Sequence, residues 1–459
     1  MLPYGTRREA QALDARRSLP SAKAGGGHDG VPRLTCLADC LNAEDLRQAA
    51  RRRLPRGLFE FVDRGAEDES ALRHNREVLE RIRFRPRVLA GVADRSLATT
   101  LFGRPLAMPI TIAPTGTAGL MWYRGEVALA KAAAQAGIPF TLSTGSLTAM
   151  EVVAQEAGGT LWFQLYMPPD ADLARRLVER AERTGFQALV VTVDGPVPGN
   201  REYNLRNGFT LPFTIGRRNL PDLLLHPRWL AGVLGRYLAT TGMPRYENYP
   251  ADVKQRLTAG PVGRAILRSD GISWADLRTL RGLWPRQLLV KGILHPDDAR
   301  LAADCGADGV IVSNHGGRNL DGAISPMEAL PPVVEAVGSR IAVLVDSGFR
   351  RGADVVKALA MGADAVQIGR PMLYGTAVGG EAGAAHAIGI FRKEIDTVRA
   401  QLGCRRVDEL SAALLQLPPE LQAAAAIGAS GLASVSTLRT RSRSTSMNER
   451  VNCETGSSP

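Results

Sequence analysis

Cysteine is scarce in this chain: five residues among 459, at Cys36, Cys40, Cys305, Cys404 and Cys453, odd in number and scattered. That usage excludes a disulfide-stapled scaffold and fits reduced thiols in a reducing compartment. Cys36 and Cys40 have the spacing to share a helix face, but no second ligand pair accompanies them, so no metal site is expected. Aromatic residues make up only 5%. The basic stretches carry no interleaved aromatics, so no nucleic-acid partner is expected. No uninterrupted apolar run reaches the roughly 18 residues of a membrane span, so no transmembrane helix is expected. The N-terminus opens on charges and prolines rather than an apolar core with a cleavage site, so no signal peptide is expected either. The resulting expectation is a cytoplasmic protein.

What the chain does hold is a hydrophobic content of 45% and 48 glycines, the make-up of a globular α/β protein with many tight turns. The formal net charge is +11. Arg51–Arg53 and, near the C-terminus, Arg439, Arg441 and Arg443 account for part of it, and such runs read as solvated surface. Residues 1–33 read as a flexible tail, Arg-rich and then Gly25–Gly27. Residues 436–459 are rich in Ser, Thr and Arg with little to bury, and read as disordered. From Leu37 to Asn75 the pattern is helical, with Asn42 as N-cap and Asp45 three residues later. A C-terminal helical extension is expected over 411–435.

Between these ends, over 34–410, apolar β-branched runs recur eight times: Ile110–Ala113, Phe140–Ser143, Leu161–Tyr166, Ala188–Asp194, Gln287–Lys291, Gly309–Ser313, Ile341–Asp346 and Ala365–Gly369. Helical segments separate most of them, for example Glu126–Ala136, Asp170–Arg183, Pro296–Cys305 and Gly352–Met361. Eight strands alternating with helices, each crossover right-handed, close into a (β/α)8 TIM barrel. An open doubly wound sheet is the competitor, but no Gly-x-Gly-x-x-Gly follows the first strand. One loop, after strand 4, breaks the rhythm: from about Gly195 to Ile272 there is no clean strand. Its stretch 211–246 mixes Arg217, Arg218, Arg228, Arg236 and Arg245 with Leu223–Leu225, Trp229, Leu230 and Leu234. Two readings stand side by side: peripheral docking on the inner face of the cell membrane, or a loop packed over the barrel mouth or at a subunit contact.

In this fold the C-terminal strand ends carry the active site. Here they finish in Ala113-Pro114-Thr115-Gly116, Ser143-Thr144-Gly145, Gln164-Leu165-Tyr166, Thr192-Val193-Asp194, Lys291-Gly292, Ser313-Asn314-His315, Asp346-Ser347-Gly348-Phe349-Arg350 and Gly369-Arg370. His315 and Arg318 stand three residues apart with two glycines between them. An imidazole takes a proton near neutral pH, and a guanidinium grips a carboxylate through two parallel hydrogen bonds. Base plus clamp suits chemistry on a small organic acid. Gly348 and Gly369 allow close backbone approach, and Arg350 and Arg370 add charge, at the two strands that commonly build a phosphate site. Thr144, Gln164, Thr192 and Asp346 offer donors and acceptors to a polyol or a ring edge. A buried Lys291 requires an anionic partner.

The runs Phe163-Gln164-Leu165-Tyr166, Thr192-Val193-Asp194, Leu289-Val290-Lys291-Gly292, Ser313-Asn314-His315-Gly316-Gly317-Arg318 and Gly369-Arg370-Pro371 give the chain its resemblance to a known family. From about Leu37 to about Leu410 it resembles the FMN-dependent 2-hydroxy-acid dehydrogenases and oxidases, among them glycolate oxidase, the flavin L-lactate dehydrogenases and mandelate dehydrogenase. The resemblance implies FMN as cofactor, a small-molecule L-2-hydroxy acid as substrate, and quinone or oxygen as electron acceptor. It also implies a homo-oligomer, a tetramer in the family. His315 is similar to the family's base, Asp194 to the carboxylate that orients it, and Tyr166 to the hydroxyl that bonds the substrate. Arg318 and Arg201 resemble the substrate-carboxylate pair, and Lys291 the lysine that stabilises reduced flavin. Ala113, Pro114, Thr115, Ser143, Gln164, Thr192, Ser313, Asp346, Gly348, Arg350, Gly369 and Arg370 stand at cofactor-contact positions.

Two positions depart from the family pattern. Phe59-Glu60-Phe61 stands where the family usually has Tyr-Asp-Tyr, so Phe61 keeps a ring and loses a hydroxyl. Gly145 replaces the bulky tryptophan of glycolate oxidase; a small residue there resembles mandelate dehydrogenase and leaves room for a larger substrate side chain. The rival readings are another FMN barrel, such as a type 2 isopentenyl diphosphate isomerase or an IMP-dehydrogenase-like protein, and a flavin-binding protein with little activity for want of the Phe61 hydroxyl.

Overall fold

The eight apolar runs are eight parallel strands of a closed barrel in the computed structural model, which describes residues 36–209, 213, 216–258, 270–419 and 421. They are β1 Ile110–Ile112, β2 Phe140–Ser143, β3 Leu161–Leu165, β4 Ala188–Thr192, β5 Gln287–Ile293, β6 Gly309–Val312, β7 Ala342–Val345 and β8 Ala365–Ile368. Each pairs with its sequence neighbours, and β8 closes on β1 through Gln367 opposite Thr111. The expected helices are present as Gly125–Ala136, Ala171–Arg183, Pro296–Asp304 and Gly352–Ala360. β-Branched, apolar strands buried on both faces are what a helix-wrapped parallel sheet demands.

The barrel interior is layered. Trp162, Val190, Leu289, Ile311, Leu344 and Ala365 form an apolar plug, and Leu101 and Leu106 join it from below. Those two leucines belong to a hairpin, Thr99–Leu101 paired with Arg104–Leu106, which stoppers the N-terminal mouth. Two residues further along several strands the inward positions turn polar: Gln164, Thr192, Lys291, Ser313, Asp346 and Gln367 are all buried. The polar layer therefore lies at the C-terminal mouth.

The N-terminal helical region holds a 3-10 turn, Leu37–Asp39, and three α-helices, Ala43–Arg53, Arg56–Asp63 and Ser70–Arg81. Asn42 caps Ala43–Arg53, its side chain accepting from the backbone of Glu44 and Asp45 at 2.9 and 3.0 Å. Residues 411–418, expected as the start of a helix, contain a single 3-10 turn at Ala412–Leu414 and the strand Leu415–Gln416, antiparallel to Arg83–Phe84. That pairing joins Leu415–Gln416 to the segment that follows the third N-terminal helix, in a two-stranded sheet outside the barrel. Most of 419–435 and both expected tails lie outside the described residues, as does Cys453.

After β4 the chain makes short helices rather than strands: Glu202–Arg206, Leu220–Leu224, Pro227–Trp229, a π-helical turn Leu230–Gly235 and Arg236–Thr240. The apolar set read for membrane contact needs correction. Leu223 and Trp229 are buried, and the Trp229 indole donates to the Leu120 carbonyl at 2.7 Å. Leu230 and Leu234 are half-buried and pack on the same core. An indole with a satisfied donor inside the protein is not available to lipid. Among the described residues of 211–246, the large apolar side chains that face solvent are Leu220, Leu224, Leu225 and Leu238, with Leu224 and Leu225 exposed by 65% and 78%.

Candidate active site

The β6 end fixes His315 in an unusual backbone. His315, Gly316 and Gly317 have φ of 58°, 69° and 70°, three left-handed residues in a row. A Cβ on Gly317 would lie 2.7 Å from the Leu72 nitrogen, and one on Gly316 would lie 2.5 Å from the Arg370 guanidinium. Only glycine serves at both places, and the turn holds the imidazole over the barrel mouth. His315 Nδ1 lies 2.8 Å from Asp194 Oδ1, and Nε2 lies 3.4 Å from the Tyr166 hydroxyl. Asp194 fits against β5 because Gly292 has no side chain; a Cβ there would meet the Asp194 Cβ at 2.5 Å.

Burial holds His315 below its ordinary value of 6.5; Asp194 pulls the other way and does not overcome it. Burial alone would raise the Asp194 carboxyl, but His315 and then Lys291 outweigh it and keep the carboxylate ionised. The ring is therefore a neutral base with Nε2 facing the cavity, and its other nitrogen is held by a carboxylate that stabilises the imidazolium once a proton arrives.

Two guanidiniums face this ring. Arg318 donates to the Phe61 carbonyl at 2.7 Å and stacks 5.3 Å over the Phe61 ring. Arg201 donates to the Arg318 carbonyl at 3.2 Å. Burial first, then the neighbouring Arg201, push Arg318 down to about 10. Cationic groups crowded into a desolvated cavity call for an anion. Phe61 has no hydroxyl to give, yet its ring and carbonyl carry the arginine.

The polar layer beneath is continuous. Ser143 Oγ donates to Gln164 Oε1 at 3.0 Å, and Gln164 Nε2 donates to Thr192 Oγ1 at 3.1 Å. Lys291 Nζ sits 3.0 Å from Asp346 Oδ2 and 2.8 Å from Ser313 Oγ. Burial pulls the Lys291 ammonium down, Asp346 and Asp194 pull it up, and the carboxylates win. Thr144 is a correction: its hydroxyl donates to the Gln164 carbonyl at 2.6 Å, so it braces the strands and is not free for a ligand.

At the β7 and β8 ends lie Arg350 and Arg370. Arg350 donates to the Tyr374 hydroxyl at 3.1 Å, Tyr374 to Asp63 at 2.6 Å, and Asp63 receives both arms of Arg47 at 2.6 and 2.7 Å. That chain was not foreseen, because Asp63 and Tyr374 are 311 residues apart. Arg370 donates to the carbonyls of Val62, Gly316 and Arg64, so it braces the mouth as well as lining it. Burial and the nearby arginines push it down to about 10. A helix starts here at Arg370, with Gly369 as its cap, and the run to Gln401 is broken by a kink at Gly379 and Gly380.

One cavity collects nearly all the expected residues. His315, Tyr166, Arg201, Arg318 and Gly145 line it, as do Ala113, Pro114, Thr115, Ser143, Thr192, Lys291, Asp346, Gly348, Arg350, Gly369 and Arg370. Asp194, Gln164 and Ser313 stand one layer behind, each bonded to a residue that lines it. Sequence reasoning missed Gln367, which lines the cavity while both of its amide atoms lack a partner among the described residues. It also missed Tyr246, Tyr249, Val253 and Gln255, which come from the long loop.

The sequence pattern of the FMN-dependent dehydrogenases matches residues 50–417. (S)-Mandelate dehydrogenase of Pseudomonas putida is 43% identical over 375 residues, 82% of this chain and 93% of that protein. L-Lactate dehydrogenase of Chromohalobacter salexigens is 44% identical over 368 residues, 80% and 93% of the two chains. The crystal structure of the monotopic membrane protein (S)-mandelate dehydrogenase superposes with a TM-score of 0.78 at 43% identity, covering 82% of this chain and 99% of that one. A mandelate oxidase structure reaches 0.67 at 35% identity.

Proposed function

Because the chain belongs to the FMN-dependent dehydrogenase family, we infer that it oxidises an L-2-hydroxy acid to the 2-keto acid with FMN as its cofactor. The observation that carries this reading is the His315–Asp194 pair beside Tyr166, facing two arginines in one cavity.

The residues fit the cofactor. The buried amide of Gln367 has no partner, Lys291 and the arginines exceed the carboxylates around them, and Gly369 leaves its Cβ position open with nothing nearer than 3.7 Å. Arg350, the backbone at Gly369 and the start of the helix at Arg370 are the groups for a phosphate, since a helix N-terminus favours an anion. Ser143, Gln164, Thr192 and Lys291 are the groups for the ring edge. FMN supplies the two-electron acceptor. Arg201 and Arg318 hold the substrate carboxylate as a charge-assisted pair. Tyr166 bonds the substrate hydroxyl. His315 takes up at Nε2 the proton released as the substrate is oxidised, and Asp194 keeps Nδ1 protonated and stabilises the imidazolium.

Purified protein is expected to be yellow, and acid precipitation to release FMN from it. Release of FAD, or a colourless protein that takes up no flavin, overturns the assignment.

Gly145→Trp tests the substrate side-chain pocket. A Cβ at Gly145 meets only ordinary contacts, at 3.7 Å from Ser143 and 3.8 Å from Gly116 and Tyr246. The backbone therefore accepts the side chain, and the indole fills space towards Tyr246. Preference is expected to shift at least about tenfold towards lactate or glycolate over aromatic acids, in line with the about 1–3 kcal/mol that pocket volume decides. Equal loss on every acid would show that Gly145 does not line the side-chain pocket.

No helix among the described residues is long and apolar enough to cross a membrane. We assign peripheral membrane contact to the corrected loop surface: exposed Leu220, Leu224, Leu225 and Leu238 with exposed Arg217, Arg218, Arg228, Arg236 and Arg245. The monotopic membrane relative supports this, and a membrane quinone is then the natural acceptor. Each arginine near an anionic surface contributes about 1 kcal/mol. Co-sedimentation with acidic liposomes is expected at low salt, weakening as salt rises and in Leu224→Ser/Leu225→Ser. Protein that stays in the supernatant at low salt contradicts it.

A further inference from the structure

The hydroxyl that Phe61 lacks has a counterpart on another element. Arg201, whose φ of −115° and ψ of 72° are not helical, is the N-cap of the helix Glu202–Arg206. Tyr203 therefore stands on the same turn as one of the two arginines of the carboxylate pair. That turn is fixed against the N-terminal helical region. The Asn200 carbonyl accepts from Glu67 N at 2.9 Å, and Asn207 Nδ2 donates to Glu60 Oε2 at 3.0 Å. Phe61 and Phe209 close the contact, with ring centroids 5.4 Å apart.

Tyr203 is only 3% exposed, and its hydroxyl oxygen is buried with no hydrogen-bond partner among the described residues. A buried hydroxyl left unpaired is costly, so it calls for a partner. Arg64 lies over the Tyr203 ring, its guanidinium 5.0 Å from the centroid, and donates from Nε to Glu69 at 2.9 Å. The Arg64 carbonyl in turn accepts from Arg318 and from Arg370, each at 3.1 Å. The phenol is thus packed against the residue that holds Arg318. Arg318 also feels the Tyr203 phenol more strongly than those of Tyr166 and Tyr374.

Arg318 has a donor to spare for it. Nη1 is committed to the backbone, at 2.7 Å from the Phe61 carbonyl and 3.1 Å from that of Arg64. Nε and Nη2 make no hydrogen bond among the described residues. A carboxylate gripped side-on takes Nε and one hydrogen of Nη2, which leaves the second hydrogen of Nη2 over. An unpaired acceptor and a left-over donor therefore stand on neighbouring groups. We propose that Tyr203 is a positioning residue for the substrate carboxylate: its hydroxyl accepts that hydrogen once the carboxylate sits on Arg318, and locks the guanidinium in its gripping orientation. It does from the helix Glu202–Arg206 what Phe61 has no hydroxyl to do. This rests on Arg318 as the carboxylate clamp in the reading above, and adds the residue that fixes it.

Tyr203→Phe keeps the ring under Arg64 and removes only the hydroxyl. In FMN-loaded enzyme reduced anaerobically by (S)-mandelate, the half-saturating concentration is expected to rise about 3- to 10-fold, the range for one hydrogen bond. The limiting rate of reduction is expected to stay within about 2-fold of wild type, since ground and transition states lose the contact alike. Phenylacetate, which occupies the site without turnover, is expected to perturb the flavin spectrum only at correspondingly higher concentration. Phe61→Tyr places a hydroxyl beside Arg318 again. It is expected to recover most of the loss in the Tyr203→Phe background and to change the otherwise wild-type enzyme by less than about 2-fold, the non-additivity of two groups that serve one arginine. Half-saturation and phenylacetate affinity that are unmoved in Tyr203→Phe, or a Phe61→Tyr effect equal in both backgrounds, overturn the inference while leaving the 2-hydroxy-acid reading standing. A lowered melting temperature with both constants unmoved assigns Tyr203 to packing alone and overturns it too. Flavin that no 2-hydroxy acid reduces overturns the 2-hydroxy-acid reading itself, and phenylacetate affinity still decides the role of Tyr203.

Discussion

His315→Gln is expected to keep FMN bound and to slow its reduction by substrate at least about 10²–10⁴-fold, the range a positioned general base contributes. The amide matches the imidazole in reach and hydrogen bonding but takes up no proton. Among the described residues no other base faces the same point: Asp194 lies behind His315, and Tyr166 is a phenol whose acidity burial suppresses further. The pH profile supplies a second signature. Burial lowers the histidine, so the neutral ring persists as pH falls through the ordinary value of 6.5, and the acid limb of kcat/KM lies below that value. Protonation below the depressed value removes the base, and activity falls there. In His315→Gln that limb disappears. A variant with near wild-type reduction, or an unchanged acid limb, contradicts the role. Full flavin content in the variant separates lost chemistry from lost fold.

Lys291→Met is expected to be the most damaging single change to the cofactor site. The methionine fills a similar volume but leaves Asp346 buried without its ion-pair partner and removes the donor from Ser313. Removing one partner of a buried pair costs about 3–5 kcal/mol, because the other charge stays desolvated. FMN retention, thermal stability and the rate of flavin reduction are all expected to fall together, which distinguishes this variant from His315→Gln. Lys291→Met with wild-type flavin affinity and melting temperature would show that the Lys291–Asp346 pair does not support the site.

The barrel was readable because buried parallel strands are continuous apolar runs, and each such run in this sequence is a strand within two residues at either end. The mouth was readable for a related reason. Strand-end residues are local in sequence, so Asp194, Lys291 and His315 announce themselves as polar groups that terminate apolar segments. Three things were not readable. After β4, Leu220–Leu224 is barely more than one turn, and the run Pro227–Thr240 is π-helical in its middle, so its buried Trp229, Val233 and Tyr237 do not keep the 3.6-residue period; Leu223 and Trp229 looked like surface residues and are core. Tyr246 and Tyr249 enter the site from a turn held to the barrel by contacts such as that of Asn248 with the carbonyl of Ser143, 105 residues earlier. The Thr144 hydroxyl looked like a ligand contact because strand-end position alone does not show that a neighbouring carbonyl already holds it. In each case the deciding contact is distant in the chain.

The most direct test is anaerobic titration of the FMN-loaded protein with the two enantiomers of one 2-hydroxy acid, followed at the flavin absorption band. An L-acid is expected to bleach the flavin completely at one equivalent of turnover, with the 2-keto acid formed in equal amount, and the D-acid is expected to leave it yellow. Flavin that stays oxidised with every L-acid, or that bleaches with the D-enantiomer alone, contradicts the account.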